Sequence, residues 1–70
     1  MPHISITLYK GRDEETLLDV ANSVRDSLGG RWSSNDISVS INEVEPSEFP
    51  ECIQKRLDEE RLLLTSDYVK

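Results

Sequence analysis

The residue with the clearest chemical potential is Pro2, which directly follows Met1. Methionine ahead of a small residue is normally removed, and its removal would leave Pro2 with a free secondary amine on a rigid ring. An α-amine has an unperturbed pKa of about 7.7–8, and burial or a nearby cation lowers it towards the range of a general base at neutral pH. Taken alone, however, the proline is better explained by a position that tolerates any small residue.

Cysteine and histidine chemistry is limited by number, because the chain contains one Cys and one His. Cys52 and His3 cannot build a disulfide framework or a closed tetrahedral zinc site, so we expect no structural metal. We expect Cys52 to be a small apolar residue of a helix. His3 is expected to be a structural residue of a strand, or else to line a pocket beside Pro2.

Length and charge exclude several classes of protein. The 70 residues allow one domain, residues 1–70, with a net charge of −6 and no run of Lys or Arg, so a nucleic acid is a poor partner. No apolar run is long enough for a membrane span or an export signal, and we expect a cytoplasmic protein. Hydrophobic residues make up 36% of the chain, which is little for an isolated core, and this favours self-association.

The hydrophobic pattern predicts the elements that would position Pro2. Apolar and polar residues alternate over His3–Tyr9, which indicates a β-strand. Gly11 is free to take a positive φ after this strand, and Asp13 is a suitable helix N-cap. An apolar residue then recurs at helical spacing, so we predict a helix from about Asp13 to Leu28.

A second strand and helix follow. Alternation returns after a polar turn and predicts a strand from Ile37 to about Val44. A turn with two prolines then leads to an amphipathic helix, which we expect from about Phe49 to about Thr65 with Ser47 or Glu48 as its cap. We expect Ser66–Lys70 to be a loose tail.

The order β-α-β-α predicts an α/β (α+β) fold with parallel strands, because the first helix is long enough for a crossover connection. A two-stranded sheet leaves both edges unpaired and is barely stable alone. We therefore expect a homodimer in which two copies pair into a four-stranded sheet with helices packed on it.

The residues also carry a resemblance to a known family. The run Pro2-His3-Ile4-Ser5-Ile6-Thr7-Leu8, followed by Gly11-Arg12 and an acidic helix start, resembles the 4-oxalocrotonate tautomerase family. The strand Ile37–Val44 and the aromatic Phe49 after it fit the same pattern. The resemblance covers about residues 2–65 and is strongest to short dimeric bacterial members that begin Met-Pro-His-Ile. It implies a β-α-β unit that pairs into a four-stranded dimer.

The same resemblance implies an activity and assigns roles. It implies a cofactor-free keto–enol tautomerase that acts on small 2-hydroxydienoate or phenylenolpyruvate-type acids. Pro2 would be the general base, and Arg12 would bind a carboxylate of the substrate. Phe49 would make the pocket apolar and help to lower the pKa of the Pro2 amine.

The chain departs from the family pattern at Ser38, where the archetype has a second arginine that polarises the substrate. A hydroxyl donates a hydrogen bond but brings no charge to an enolate, so either another cation acts here or the substrate differs. Arg31, Lys55 and Arg56 are the candidate cations. Two alternatives also remain open: a dehalogenase or decarboxylase of the same family, and a non-catalytic dimeric interaction module. The C-terminal helix stands in place of the glycine-rich hairpin of hexameric relatives, which favours the dimer.

Overall fold

A computed structural model of the chain, describing residues 1–70, contains a parallel two-stranded sheet and two α-helices. The strands pair in register from His3 beside Ser38 to Tyr9 beside Val44. The result is a small α+β domain whose first three main elements form a β-α-β unit. In chain order the elements are β1 (His3–Tyr9), α1 (Glu14–Ser27), a short 3₁₀ helix (Ser34–Asp36), β2 (Ser38–Val44) and α2 (Phe49–Leu57).

The first half of the chain confirms the prediction closely, because local signals fix both ends of α1. Gly11 has φ 120°, a conformation that turns the chain away from β1 and that side chains disfavour. The Asp13 carboxylate accepts a hydrogen bond from the Thr16 amide at 2.9 Å, as an N-cap does. At the other end, Leu28 is the C-cap, one residue after Ser27.

The two helices lie on opposite faces of the sheet. α1 packs on the aliphatic face, mainly over β2, where Leu17 and Ile37 are the two buried residues of the chain. α2 lies against β1 on the other face, where a groove is lined by Ser5, Thr7 and Ile53 among others. The aliphatic face of β1 is therefore less covered than that of β2.

The predicted second helix is wrong in its length, because α2 ends at Leu57 and not near Thr65. Three consecutive acidic residues, 58–60, follow its last turn, where the helix dipole disfavours negative charge. The expected start is confirmed, with Glu48 at the N-cap position although its side chain makes no capping hydrogen bond. Leu64, which falls within the expected helix, is instead 87% exposed. Neither helix has the length and apolar character that crossing a bilayer requires.

The single chain leaves an unusually large surface in contact with water. Its accessible surface is 5685 Å², whereas a compact monomer of 8.0 kDa is expected to expose about 4,450 Å². The radius of gyration is 13.2 Å, against about 11 Å for a compact domain of this length. The excess of about 1,200 Å² per chain is of the size that an obligate dimer buries on each partner.

The outer edges of both strands have unpaired backbone groups. The Ser38 amide donates to the Pro2 carbonyl at 3.2 Å, and the Lys10 amide donates to the Val44 carbonyl at 2.9 Å. Since successive residues of a strand direct their amides to alternate sides, the residues between these pairs divide into two sets. The amides that point away from the other strand are those of His3, Ser5, Thr7 and Tyr9 on β1, and of Val39, Ile41 and Glu43 on β2.

Candidate active site

Pro2 lies at the amino end of the sheet, immediately before β1. It is half-buried, and its carbonyl oxygen accepts the hydrogen bond from the Ser38 amide. Met1 is 99% exposed, so it projects into water and makes no contribution to packing. The structure therefore brings Pro2 and Ser38 together and leaves Met1 open to removal.

His3 occupies the polar face beside Pro2, held by two hydroxyl groups. Its Nδ1 lies 2.6 Å from the Ser38 Oγ and its Nε2 lies 3.0 Å from the Ser40 Oγ. Each hydroxyl can accept or donate, so both contacts can be hydrogen bonds whichever ring nitrogen carries the proton. The side chain remains exposed, and the pair of serines fixes its orientation.

Arg12 and Phe49 lie at the other end of the sheet. The Arg12 Nη1 donates to the Tyr9 carbonyl at 3.3 Å, close to the carboxyl end of β1. The Phe49 ring packs edge-on against the ring of Tyr9, with centroids 5.2 Å apart and planes at 88°. This aromatic pair anchors the start of α2 to the end of β1.

The four residues expected in the site thus form two groups within one chain. Pro2 and Ser38 are at the amino end of the sheet, whereas Arg12 and Phe49 are beside Tyr9. Tyr9 is seven residues further along the extended chain than Pro2, which corresponds to about 23 Å. One chain therefore cannot present all four residues to one small molecule.

None of the three cations suggested as a replacement for the second arginine lines a groove with Ser38. Arg56 is on α2, where its Nη1 lies 3.9 Å from the Glu60 carboxylate. Lys55 is exposed on the same helix, and Arg31 is exposed in the turn after α1. The arginine that does line a groove with Ser38 is Arg25 of α1. Arg25 was not among the cations predicted from the sequence, because the helix that carries it was interpreted from its apolar residues.

Cys52 and Asp13 each make a hydrogen bond that joins parts of the fold. Cys52 is half-buried, and its Sγ accepts a hydrogen bond from the Asn42 side chain at 3.4 Å. Hydrogen bonds from the side chain and then the amide of Thr16 lower the pKa of the Asp13 carboxyl. No group of three or more His, Cys, Asp or Glu side chains is arranged to hold a metal ion.

Comparison of the chain with protein-family models, with curated proteins and with solved structures finds no match. The structure by itself therefore defines only a fold class: a small α+β domain built on a parallel β-α-β unit.

Proposed function

We propose that the chain, after loss of Met1, is a cofactor-free keto–enol tautomerase of the 4-oxalocrotonate tautomerase type. Its substrates would be small 2-hydroxydienoate or phenylenolpyruvate-type acids. The observation that carries the proposal is the position of Pro2, which is half-buried at the start of β1 and directly follows an exposed methionine. Removal of that methionine would place a basic secondary amine at a fixed point of the sheet.

The reaction needs one group that accepts and returns a proton. The neutral Pro2 amine takes the proton from the enol hydroxyl, the oxygen lone pair forms the carbonyl, and the carbon–carbon double bond shifts its electrons to the neighbouring carbon. The protonated amine then delivers its proton to that carbon, so no redox partner is required. This role needs an amine that is largely unprotonated at neutral pH, which an adjacent cation and exclusion of water both favour.

A dimer would complete the site, because two-fold symmetry reverses the direction of the second copy. If β1 pairs antiparallel with β1 of the second copy about an axis beside Ile6, the middle of the strand, then Pro2 lies opposite Lys10 of that copy. The second copy's Arg12 is two residues further on, and its Phe49 packs beside the same strand end. The separation of about 23 Å within one chain then becomes proximity between chains.

The exposed edge of β1 is the better dimer edge for reasons of packing. α1 covers β2 more than β1, so the aliphatic side chains Ile4, Ile6 and Leu8 are only half-buried. Joining the two β1 edges would place these side chains at the centre of a four-stranded sheet, between the two copies of α1. The surface excess of about 1,200 Å² per chain agrees with an interface of that extent.

The experiment that tests the activity compares two chains that differ only at the start. Residues 2–70, with a free Pro2 amine, and residues 1–70 are made by chemical synthesis, and each is assayed for ketonisation of phenylenolpyruvate. We expect activity from the shorter chain and none from the longer, because Met1 converts the Pro2 nitrogen into a tertiary amide without a basic lone pair. Equal activity of the two, with Met1 verified by mass spectrometry, would exclude Pro2 as the base.

A non-catalytic dimer is the second candidate function. It is favoured by the division of the expected site residues between the two ends of each chain, and by Ser38 in place of a cation. The same synthetic chains distinguish it, since a dimeric chain of residues 2–70 without activity on enol acids would support the interaction module.

A further inference from the structure

Arg25 is a cation without an anionic partner in a protein of net charge −6. Its Nη2 donates to the Asn22 side-chain oxygen at 3.0 Å, and no carboxylate lies within salt-bridge distance of it, unlike Lys10 with Glu45 and Arg56 with Glu60. Its Nε is buried and has no hydrogen-bond partner at all. The position of Arg25 in the last turn of α1 suits the helix dipole, but the dipole does not account for a desolvated donor left unpaired.

Arg25 lines a groove of about 340 Å³ between α1 and the outer edge of β2. This size falls at the lower end of the range for sites that bind small molecules. The Val39 amide, which points away from β1, is a further donor at this edge, and the Asn22 side chain can supply another. The apolar part of the groove comes from α1 and β2, with Leu18, which is 62% exposed, Ala21 and Ile37.

We propose that this groove binds a small amphipathic carboxylic acid, with its carboxylate on Arg25 and its apolar tail along Leu18 and Ala21. A carboxylate is the planar anion that a guanidinium binds with two parallel hydrogen bonds, and Arg25 has no carboxylate of the chain to occupy that position. The groove on the other side of Leu18 is lined by Asp13, Glu15 and Asp19, so its charge repels the same ligand.

The site goes beyond the proposed tautomerase, because binding in this groove requires no contribution from Pro2. It does lie at the same end of the sheet, since Ser38 lines the groove and also donates its amide to the Pro2 carbonyl. A guanidinium is thus present near the position where the family resemblance expects a cation and the strand itself offers only a hydroxyl.

The test is a titration of the ¹⁵N-labelled chain with 3-phenylpropionate at constant ionic strength, followed by amide chemical shifts. This probe has no keto or enol group, so the result does not depend on the chemistry of Pro2. We expect saturable shifts concentrated at Ala21–Arg25 and Ile37–Val39, with a dissociation constant on the order of 1 mM for a ligand of this size. The neutral amide of the same acid should bind at least about tenfold more weakly.

Two substitutions that each remove one positive charge provide the matched comparison. Arg25→Gln should weaken binding by at least about tenfold, whereas Arg31→Gln, at an exposed arginine of the following turn, should leave it unchanged. Arg25→Lys keeps the charge and the fold but loses the planar pair of donors, and it should bind with intermediate affinity. Should Arg25→Gln fail to fold, the shift map of the unsubstituted chain and the Arg25→Lys result decide the question.

Three results would overturn the proposal: shifts dispersed over the surface, equal weakening by Arg25→Gln and Arg31→Gln, or equal binding of the acid and its amide. A chain that binds the acid at Arg25 but does not ketonise enol acids would refute the tautomerase and leave the groove intact. An active chain without binding in the groove would do the reverse.

Discussion

A proline at Ser5 would test the dimer edge directly. The Ser5 amide points away from β2, so Ser5→Pro removes no hydrogen bond between β1 and β2. It does remove a donor from the free edge, and the proline ring occupies the space that an antiparallel partner strand requires. Because the proposed dimer is two-fold symmetric, the substitution acts twice in each assembly.

The size of the effect follows from the number of groups involved. Two hydrogen bonds between chains are lost, each with a net contribution of about 0.5–1.5 kcal/mol, and two carbonyl groups lose their donors. The total of about 2–4 kcal/mol corresponds to a dimer dissociation constant raised by about 30-fold to 1,000-fold. The matched control is Glu43→Pro, which places the same ring at an outward amide of the outer edge of β2.

Sedimentation equilibrium measures the outcome. The unsubstituted chain should sediment at twice the chain mass of 8.0 kDa at micromolar concentration, and Ser5→Pro should shift it towards the monomer while Glu43→Pro does not. Dissociation by Glu43→Pro with no effect of Ser5→Pro would show that the reasoning has selected the wrong edge. A species of six chains would contradict the argument that the C-terminal segment stops assembly at the dimer.

The remaining predictions concern single side chains. Arg12→Ala should raise KM for an enol acid by about tenfold or more with little change in kcat, since the carboxylate is bound in the ground state and transition state alike; steady-state kinetics checks this. Phe49→Ala should move the pH–rate profile upward, because water admitted near the Pro2 amine favours its protonated form; an unchanged profile would remove Phe49 from the site. Asp13→Ala should lower the thermal midpoint at neutral pH but have little effect in acid, whereas Asp13→Asn keeps the cap without titrating. The carboxyl has a lowered folded-state pKa, so its contribution is complete above the ordinary value of 3.8 and disappears as the pH falls through the folded-state value.

The sequence predicted most accurately the strand and the helix whose start and end are both marked by nearby residues. β1 has alternation that starts at His3 and ends at Tyr9, and α1 has an acidic cap at one end and glycines after the other. The length of α2 could not be predicted in the same way, because Leu62–Leu64 continue a plausible apolar pattern. Whether such a pattern forms a helix depends on a surface for it to pack against, and Leu63 is 75% exposed in the single chain.

The sequence nominates the candidate site residues by their type, and their role in one site stays a prediction; their arrangement in space could not be read from the sequence. Pro2 and Ser38 meet because parallel strands bring their amino ends together, which topology alone implies. The distance of Arg12 and Phe49 from Pro2 also follows from the topology. The proposed site needs a second copy of the chain to bring these residues close to Pro2, and the sequence of one chain does not show that arrangement. Arg25 had no sequence signal, because an unpaired guanidinium nitrogen can be recognised only when the groups around it are known.

Gly11 shows that tolerance to substitution need not follow burial in this molecule. A Cβ at Gly11 would meet no atom within 4 Å, yet its φ of 120° is one that other residues rarely adopt. The penalty for any side chain there arises entirely from the backbone, whatever the size or polarity of the side chain. In a complete mutational scan, this exposed position surrounded by empty space should be among the least permissive. Leu18, a large and exposed apolar residue of α1, should accept many replacements without loss of the fold.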